Sequence, residues 1–266
     1  MSSPVKITLV QLQVARSKRE NLRSALAAID MTPDDAGLVV FPEYSMSYPI
    51  GGLTRDYVKS IAEPLDGEFV TRVAEKSEEK QVGVVLPIFE KKDGGLFNTA
   101  VIIDRGEVKG GYRKIHLYDA FGYNESKLFH AGSSLVLFKI SGLTFGLAIC
   151  YDIRFPELMK CEAKAGAYAI VVPSAWYRGP LKEEQWQTLL VARAQENTSY
   201  VIGVGNANSA FVGRSTVVDP FGVKVLDLGA GNRIGSCEIE KSRVTEARRK
   251  LPVLKQSRRT YRYRQL

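Results

Sequence analysis

Apolar and polar residues alternate over Lys6–Val14, which predicts a strand, and Ser17–Ile29 follows with helical spacing behind a Ser cap and a Glu three residues on. Leu38–Phe41 is a short apolar strand. A helix over Gly67–Lys80, with Phe69, Val70 and Val73 on one side, leads into the strand Val82–Phe89. Asn98–Asp104 and Glu107–Lys114 then read as a hairpin across Arg105–Gly106, and Leu135–Ile140 with Leu143–Ile149 as a second around Ser141–Gly142. Pro156 suits the first turn of a helix to Ala165, and Tyr168–Val172 is the strand after it. Glu183–Asn197 spaces Trp186, Leu189, Leu190 and Ala194 along one inward helical face; strands follow at Tyr200–Gly205, Ser215–Val218, Val223–Leu226 and Ile234–Ile239. Strands dominate, with helices between some of them. The pattern predicts an α/β protein in which two sheets lie between helical layers.

Three of these strands end on reactive groups. Phe145–Cys150 is an apolar run that closes on a thiol and opens into the polar stretch Tyr151–Leu158, so Cys150 stands where a buried strand turns sharply into a helix. A sulfur held there is rigid, points out of the core and has the next backbone N–H beside it, as a nucleophile requires. Taken alone, such a cysteine is more often a small hydrophobe. Gly37–Glu43 delivers a carboxylate after Pro42, and Gly111–Leu117 delivers the ammonium of Lys114; each alone reads equally well as a solvated charge. Together they have a use. A thiol of reference pKa about 8.5 becomes a thiolate beside a cation when a carboxylate can take its proton, and Cys150 is expected to rest in that form.

The blocks around Glu43 (Phe41–Tyr44), Lys114 (Tyr112–Leu117) and Cys150 (Cys150–Leu158) resemble, in that order, the three signature blocks of the nitrilase (carbon–nitrogen hydrolase) superfamily. Val172–Trp176, Ala192–Asn197 and Gly213–Gly222 are also similar to family blocks, so the resemblance spans nearly the whole chain. It implies a four-layer αββα sandwich of two similar halves and a thiol hydrolase of non-peptide C–N bonds that needs no cofactor. Glu43 would be the general base and Lys114 the charge that stabilises an oxyanion together with the Tyr151 backbone N–H. Glu125, in a segment similar to the one that carries a fourth family acid, would position the substrate or support Lys114 and Glu43. Arg154 is either a pocket residue that binds substrate or half of a structural ion pair, and Trp176 either lines that pocket or belongs to the core or a dimer contact. The Cys150–Leu158 run looks most like the Nit-type amidases, including the ω-amidases, which implies a small amide bearing a carboxylate. Nitrilase and N-carbamoyl amino-acid hydrolase activities stay open, because Tyr177–Leu181 lacks the His-Trp pair of some Nit-type members.

The 266 residues, 45% of them hydrophobic, carry no linker and no convincing internal repeat, so residues 1–266 read as one domain. The N-terminus lacks a signal-peptide pattern, and no run approaches the roughly 18 apolar residues of a membrane helix. Three cysteines, at 150, 161 and 237, suit a reducing compartment, hence the cytoplasm. Two histidines, His116 and His130, without metal-ligand spacing give no reason to expect a metal. The formal charge of +8 is uneven: residues 241–266 hold ten Lys or Arg against Glu246 alone. Within that basic arm, Arg258–Arg264 interleaves arginine and tyrosine, as a nucleic-acid-binding segment could. A non-catalytic nucleic-acid-binding protein is thus the different-class alternative. The arm equally suits packing across a second subunit, and a homodimer or higher homo-oligomer is expected.

Overall fold

The structure, a computed structural model, describes residues 3–258, 260, 262, 264 and 265. In its first half the strands are β1 (Val5–Gln11), β2 (Ala36–Val40), β3 (Gly83–Lys92), β4 (Gly95–Asp104) and β5 (Glu107–Arg113), followed by the short pair β6 (Asp119–Ala120) and β7 (Tyr123–Asn124). The second half supplies β8 (Leu137–Ile140), β9 (Leu143–Leu147), β10 (Ala169–Ser174), β11 (Tyr200–Gly205), β12 (Thr216–Val218), β13 (Lys224–Asp227) and β14 (Arg233–Ile239). Between them run α1 (Lys18–Asp30), α2 (Arg55–Ile61), α3 (Glu68–Glu79), α4 (Pro156–Lys164) and α5 (Lys182–Asn197), and α6 (Lys241–Lys250) and α7 (Val253–Gln256) close the chain.

Two six-stranded sheets carry the fold, in the orders β14-β1-β2-β3-β4-β5 and β13-β12-β11-β10-β9-β8. Both follow one plan. Three parallel strands, β1-β2-β3 or β9-β10-β11, are extended on one side by an antiparallel pair, β4-β5 or β12-β13, and on the other by a single antiparallel strand, β14 or β8. Period-two alternation sorts each strand between layers. Leu38 and Val40 of β2 join Ile7, Leu9, Leu147 and Val171 in the core between the sheets. Val39 and Phe41 turn the other way, onto Ala28, Ile29, Val70 and Val73 of α1 and α3. On the second sheet α5 lies close against β11, where a Cβ on Gly203 would stand 2.7 Å from both Trp186 and Leu190. The result is the expected helix–sheet–sheet–helix order.

Several details differ from the sequence reading. β3 and β4 run on to a tight turn at Asp93–Gly94, where the reading ended one strand at Phe89 and began the next at Asn98. That turn, like Arg105–Gly106, Phe121–Gly122 and Ser141–Gly142, has positive φ at both central residues, the twist that suits two-residue hairpins. The helix α2, capped by the Thr54 side chain, the β6–β7 hairpin and the helices α6 and α7 were not anticipated. The basic arm is therefore partly folded onto the body. Val244 and Ala247 of α6 are buried, Arg243 pairs with Asp219 at 2.7 Å, and Arg248 donates to the Ala167 carbonyl at 2.6 Å. Those two cations are engaged within the fold. Of the tyrosine–arginine segment, Arg259, Tyr261 and Tyr263 lie outside the described residues.

Candidate active site

The segments that follow the C-terminal ends of the parallel strands β2, β9 and β10 meet at one crevice, where open α/β sheets place their ligands. Beyond β9, Cys150 begins a one-turn helix, Cys150–Arg154, with its backbone in the left-handed region at φ 47°. For a non-glycine residue that conformation costs about 1–2 kcal/mol. It puts the thiol in the crevice, where Ser174 Oγ donates to Cys150 Sγ at 3.2 Å. Tyr151 lies in the first turn, where N–H groups have no partner inside the helix, and it lines the same crevice.

Glu43 stands beyond β2, just before Tyr44, another left-handed residue at φ 64°. Its Oε1 accepts from Asn98 Nδ2 at 2.8 Å and Lys114 Nζ at 2.9 Å, while Oε2 accepts from the Ala175 N–H of the second sheet at 2.7 Å. Lys114 follows β5 and is gripped on its other side by Glu125 Oε2 at 2.8 Å. Glu125 in turn accepts from the Tyr118 N–H at 2.7 Å and from Asn98 Nδ2 at 3.0 Å. Glu43, Lys114 and Glu125 are all at most 1% exposed. Glu43, Lys114 and Cys150 line the crevice; Glu125 is absent from its lining and holds Lys114 and Asn98 from behind.

Two carboxylates against one ammonium decide the protonation state. Burial raises the Glu43 pKa; Lys114 opposes the rise and Glu125 adds to it. Burial works against the Lys114 charge, yet Glu125 and Glu43 outweigh it and push the Lys114 pKa well above that of ordinary lysine. The Cys150 thiol is pushed far up, by burial first and by the Glu43 charge second, with Lys114 only partly opposing. This corrects the expected resting thiolate. The lysine that would have stabilised the thiolate is already matched by two carboxylates, which favours the protonated form of free Cys150.

A third buried carboxylate, Asp152, orders the turn that carries the thiol. Asp152 Oδ2 accepts from Tyr112 OH at 2.8 Å and from the Ile149 N–H at 2.9 Å. Its Oδ1 accepts from the His116 N–H at 2.9 Å and faces His116 Nδ1 at 2.8 Å. One side chain thus ties the residue before Cys150 to the residues on either side of Lys114. Asp152 sits inside the Cys150–Leu158 block, but its spacing from Cys150 gives no sign of partners forty residues upstream.

The crevice is further lined by Tyr44, Tyr118, Tyr151, Arg154, Trp176, Tyr177 and Lys182. Arg154 stacks 4.8 Å over the Trp176 ring and donates to Gln185 Oε1 at 2.8 Å, so of its two readings the structure shows the pocket position and no ion pair among the described residues. Trp176 stands between crevice and core. It lines the crevice, and it packs 5.4 Å from Trp186 with its indole N–H donating to the Lys182 carbonyl. Lys182, Tyr118 and Asn98 escaped the sequence reading. Lys182 directly follows the Tyr177–Leu181 stretch that departs from family pattern, and that departure was the available signal.

A family model described as carbon–nitrogen hydrolase matches residues 6–249. The deaminated glutathione amidase of Escherichia coli O157:H7 is 36% identical over 223 residues, covering 83% of this chain and 84% of the relative. The omega-amidase of Mus musculus is 32% identical over 271 residues, 96% of each chain. Among solved structures, a Saccharomyces cerevisiae member of branch 10 of the nitrilase superfamily superposes with a TM-score of 0.84 at 28% identity, covering 95% of this chain and 96% of that one.

Proposed function

The chain belongs to the carbon–nitrogen hydrolase family, and on that premise we propose that it hydrolyses the amide of a small carboxylate-bearing compound through a thioester on Cys150. The observation that carries this reading is the meeting of Glu43, Lys114 and Cys150 at one crevice from three strand ends. As substrate arrives, Glu43 takes the Cys150 proton while sulfur attacks the amide carbon. Lys114 Nζ and the Tyr151 N–H stabilise the oxygen that gains charge. Protonated Glu43 passes its proton to the leaving nitrogen, so that ammonia or an amine departs. Water then hydrolyses the thioester, with Glu43 again as base.

Charge moves in this sequence without accumulating. The free site holds two carboxylates, one ammonium and a neutral thiol; when Glu43 takes the proton, the negative charge reappears on the substrate oxygen. Neutralising Glu43 also releases half of Lys114's pairing just as the oxyanion forms. Transition-state stabilisation of this kind is worth several kcal/mol per donor. Arg154, which has no carboxylate partner among the described residues, supports a carboxylate on the substrate. All three cysteines are free, which supports a reducing, cytoplasmic setting. Val223 and Val225, exposed at the edge strand β13, support a homo-oligomer.

The test is ammonia release from succinamate, succinamide, a nitrile and an N-carbamoyl amino acid, with Cys150→Ala as control. Turnover of succinamate well above succinamide supports the reading. Preference for the nitrile or the carbamoyl compound overturns the substrate class, and full activity in Cys150→Ala overturns the chemistry.

A further inference from the structure

Besides the matched Lys114, two cations converge on the crevice. Arg154 lies against Trp176. Lys182, the first residue of α5, extends its ammonium over the Phe121 ring at 3.7 Å, at the exposed tip of the β6–β7 hairpin. Its own carbonyl accepts the Trp176 indole N–H at 2.8 Å, so the backbone is anchored to one wall while the side chain reaches the rim. Two positive groups in one small pocket repel each other and call for negative charge. Among the described residues neither has a carboxylate partner, and Glu183, the adjacent acid, is paired with Arg214. Burial and the Arg154 charge both pull the Lys182 pKa below that of ordinary lysine, the mark of a cation lacking its counter-ion.

We propose that Lys182 is a specificity-determining residue that binds a second carboxylate of the substrate, the first being held at Arg154, so that the natural substrate is an amide bearing two carboxylates. This rests on the reading above, in which Arg154 takes a substrate carboxylate, and goes beyond it by assigning the other cation. A dianion bound between the two relieves their repulsion and fills both vacant charge-assisted hydrogen-bonding positions. The second carboxylate lies either on the acyl part or on the departing amine, and the two arms of the test separate these.

The test compares kcat/KM for succinamate, with one carboxylate, against tricarballylic monoamide, with an extra carboxylate on the acyl side, and N-succinylglycine, with one on the amine side. Wild type is expected to favour one of the two dianions over succinamate. Lys182→Met is expected to lower kcat/KM for that dianion at least about tenfold more than for succinamate, mostly through KM. Lys182→Arg should restore much of the preference, and added salt should erode it in wild type. A folded Lys182→Met that loses succinamate and dianion turnover in equal proportion, or a wild type that prefers succinamate to both dianions, overturns the proposal. Failure to hydrolyse any of the three, with hydrolysis of an uncharged amide, overturns the carboxylate reading itself and this proposal with it.

Discussion

The two halves of the molecule share a strand plan yet divide the chemistry. After the first parallel strand of the second sheet, β9, the chain places Cys150. After the matching strand of the first sheet, β1, the end residue is Gln11, whose amide donates to the Gly229 and Gly231 carbonyls at 2.9 and 2.7 Å and whose Oε1 accepts from the Ser215 N–H at 2.7 Å. Gln11 ties the halves together; Cys150 reacts. After the second strands the roles reverse: β2 leads to the base Glu43, and β10 leads to Ala175, whose N–H aims that base. Each half thus supplies at one strand end what the other half needs, and the crevice works only as a composite of both.

That division of labour can be broken at either end. Cys150→Ala should lower turnover by several orders of magnitude with little loss of stability, as removal of a covalent nucleophile does. Gln11→Ala should do the reverse, costing about 1–3 kcal/mol by stranding the buried Ser215 N–H while the residual folded protein still turns over. Thermal melts and saturating kinetics on both variants check the pair, and a catalytically dead, fully stable Gln11→Ala would erase the distinction.

Glu43→Gln, which keeps shape but cannot take a proton, should lower kcat at least about 10²-fold. The pH profile follows from the same residue. Glu43 acts as base only when ionised, and its folded pKa is raised, so activity should be full above that pKa and fall as pH drops through it. The acid limb of kcat/KM should therefore lie above the range of an ordinary glutamate. A limb at the ordinary glutamate value would contradict the burial argument.

A smaller effect is expected at Asp152. Asp152→Asn cannot accept all of the hydrogen bonds from Tyr112, Ile149 and His116. Loosening the Cys150 turn against the Lys114 strand should lower kcat about tenfold with a smaller change in KM, and unfolding free energy should drop by about 1–3 kcal/mol. The smallest effect is at Cys161, exposed on α4, where Cys161→Ser should change stability by no more than about 0.5 kcal/mol and leave turnover intact.

The strand ends that carry the chemistry were legible because a reactive residue closing an apolar run is a local signal, and Glu43, Lys114 and Cys150 each satisfy it. The state of the thiol was not. It depends on Glu125, far along the chain, sharing Lys114 and Asn98 with Glu43, and only folding shows that one ammonium answers to two acids. Asp93–Gly94 was readable as a hairpin turn, being one of the strongest short signals, but the charged Glu90–Lys92 before it hid the continuing strand. In α6 only Val244 and Ala247 are buried, too narrow an apolar stripe to stand out among basic residues. The structural repeat left no trace in residue identity, since matching strand ends were put to opposite uses.

The most direct measurement is an ultraviolet titration of Cys150 thiolate in the free enzyme, read as wild type minus Cys150→Ala. Activation of one half's thiol by the other half's acid requires that no thiolate forms around neutral pH in wild type. It further requires that Glu43→Gln, by removing a neighbouring negative charge, shifts the titration downward, and that Lys114→Met shifts it upward. A thiolate already present near neutral pH, or a titration indifferent to both substitutions, would contradict it.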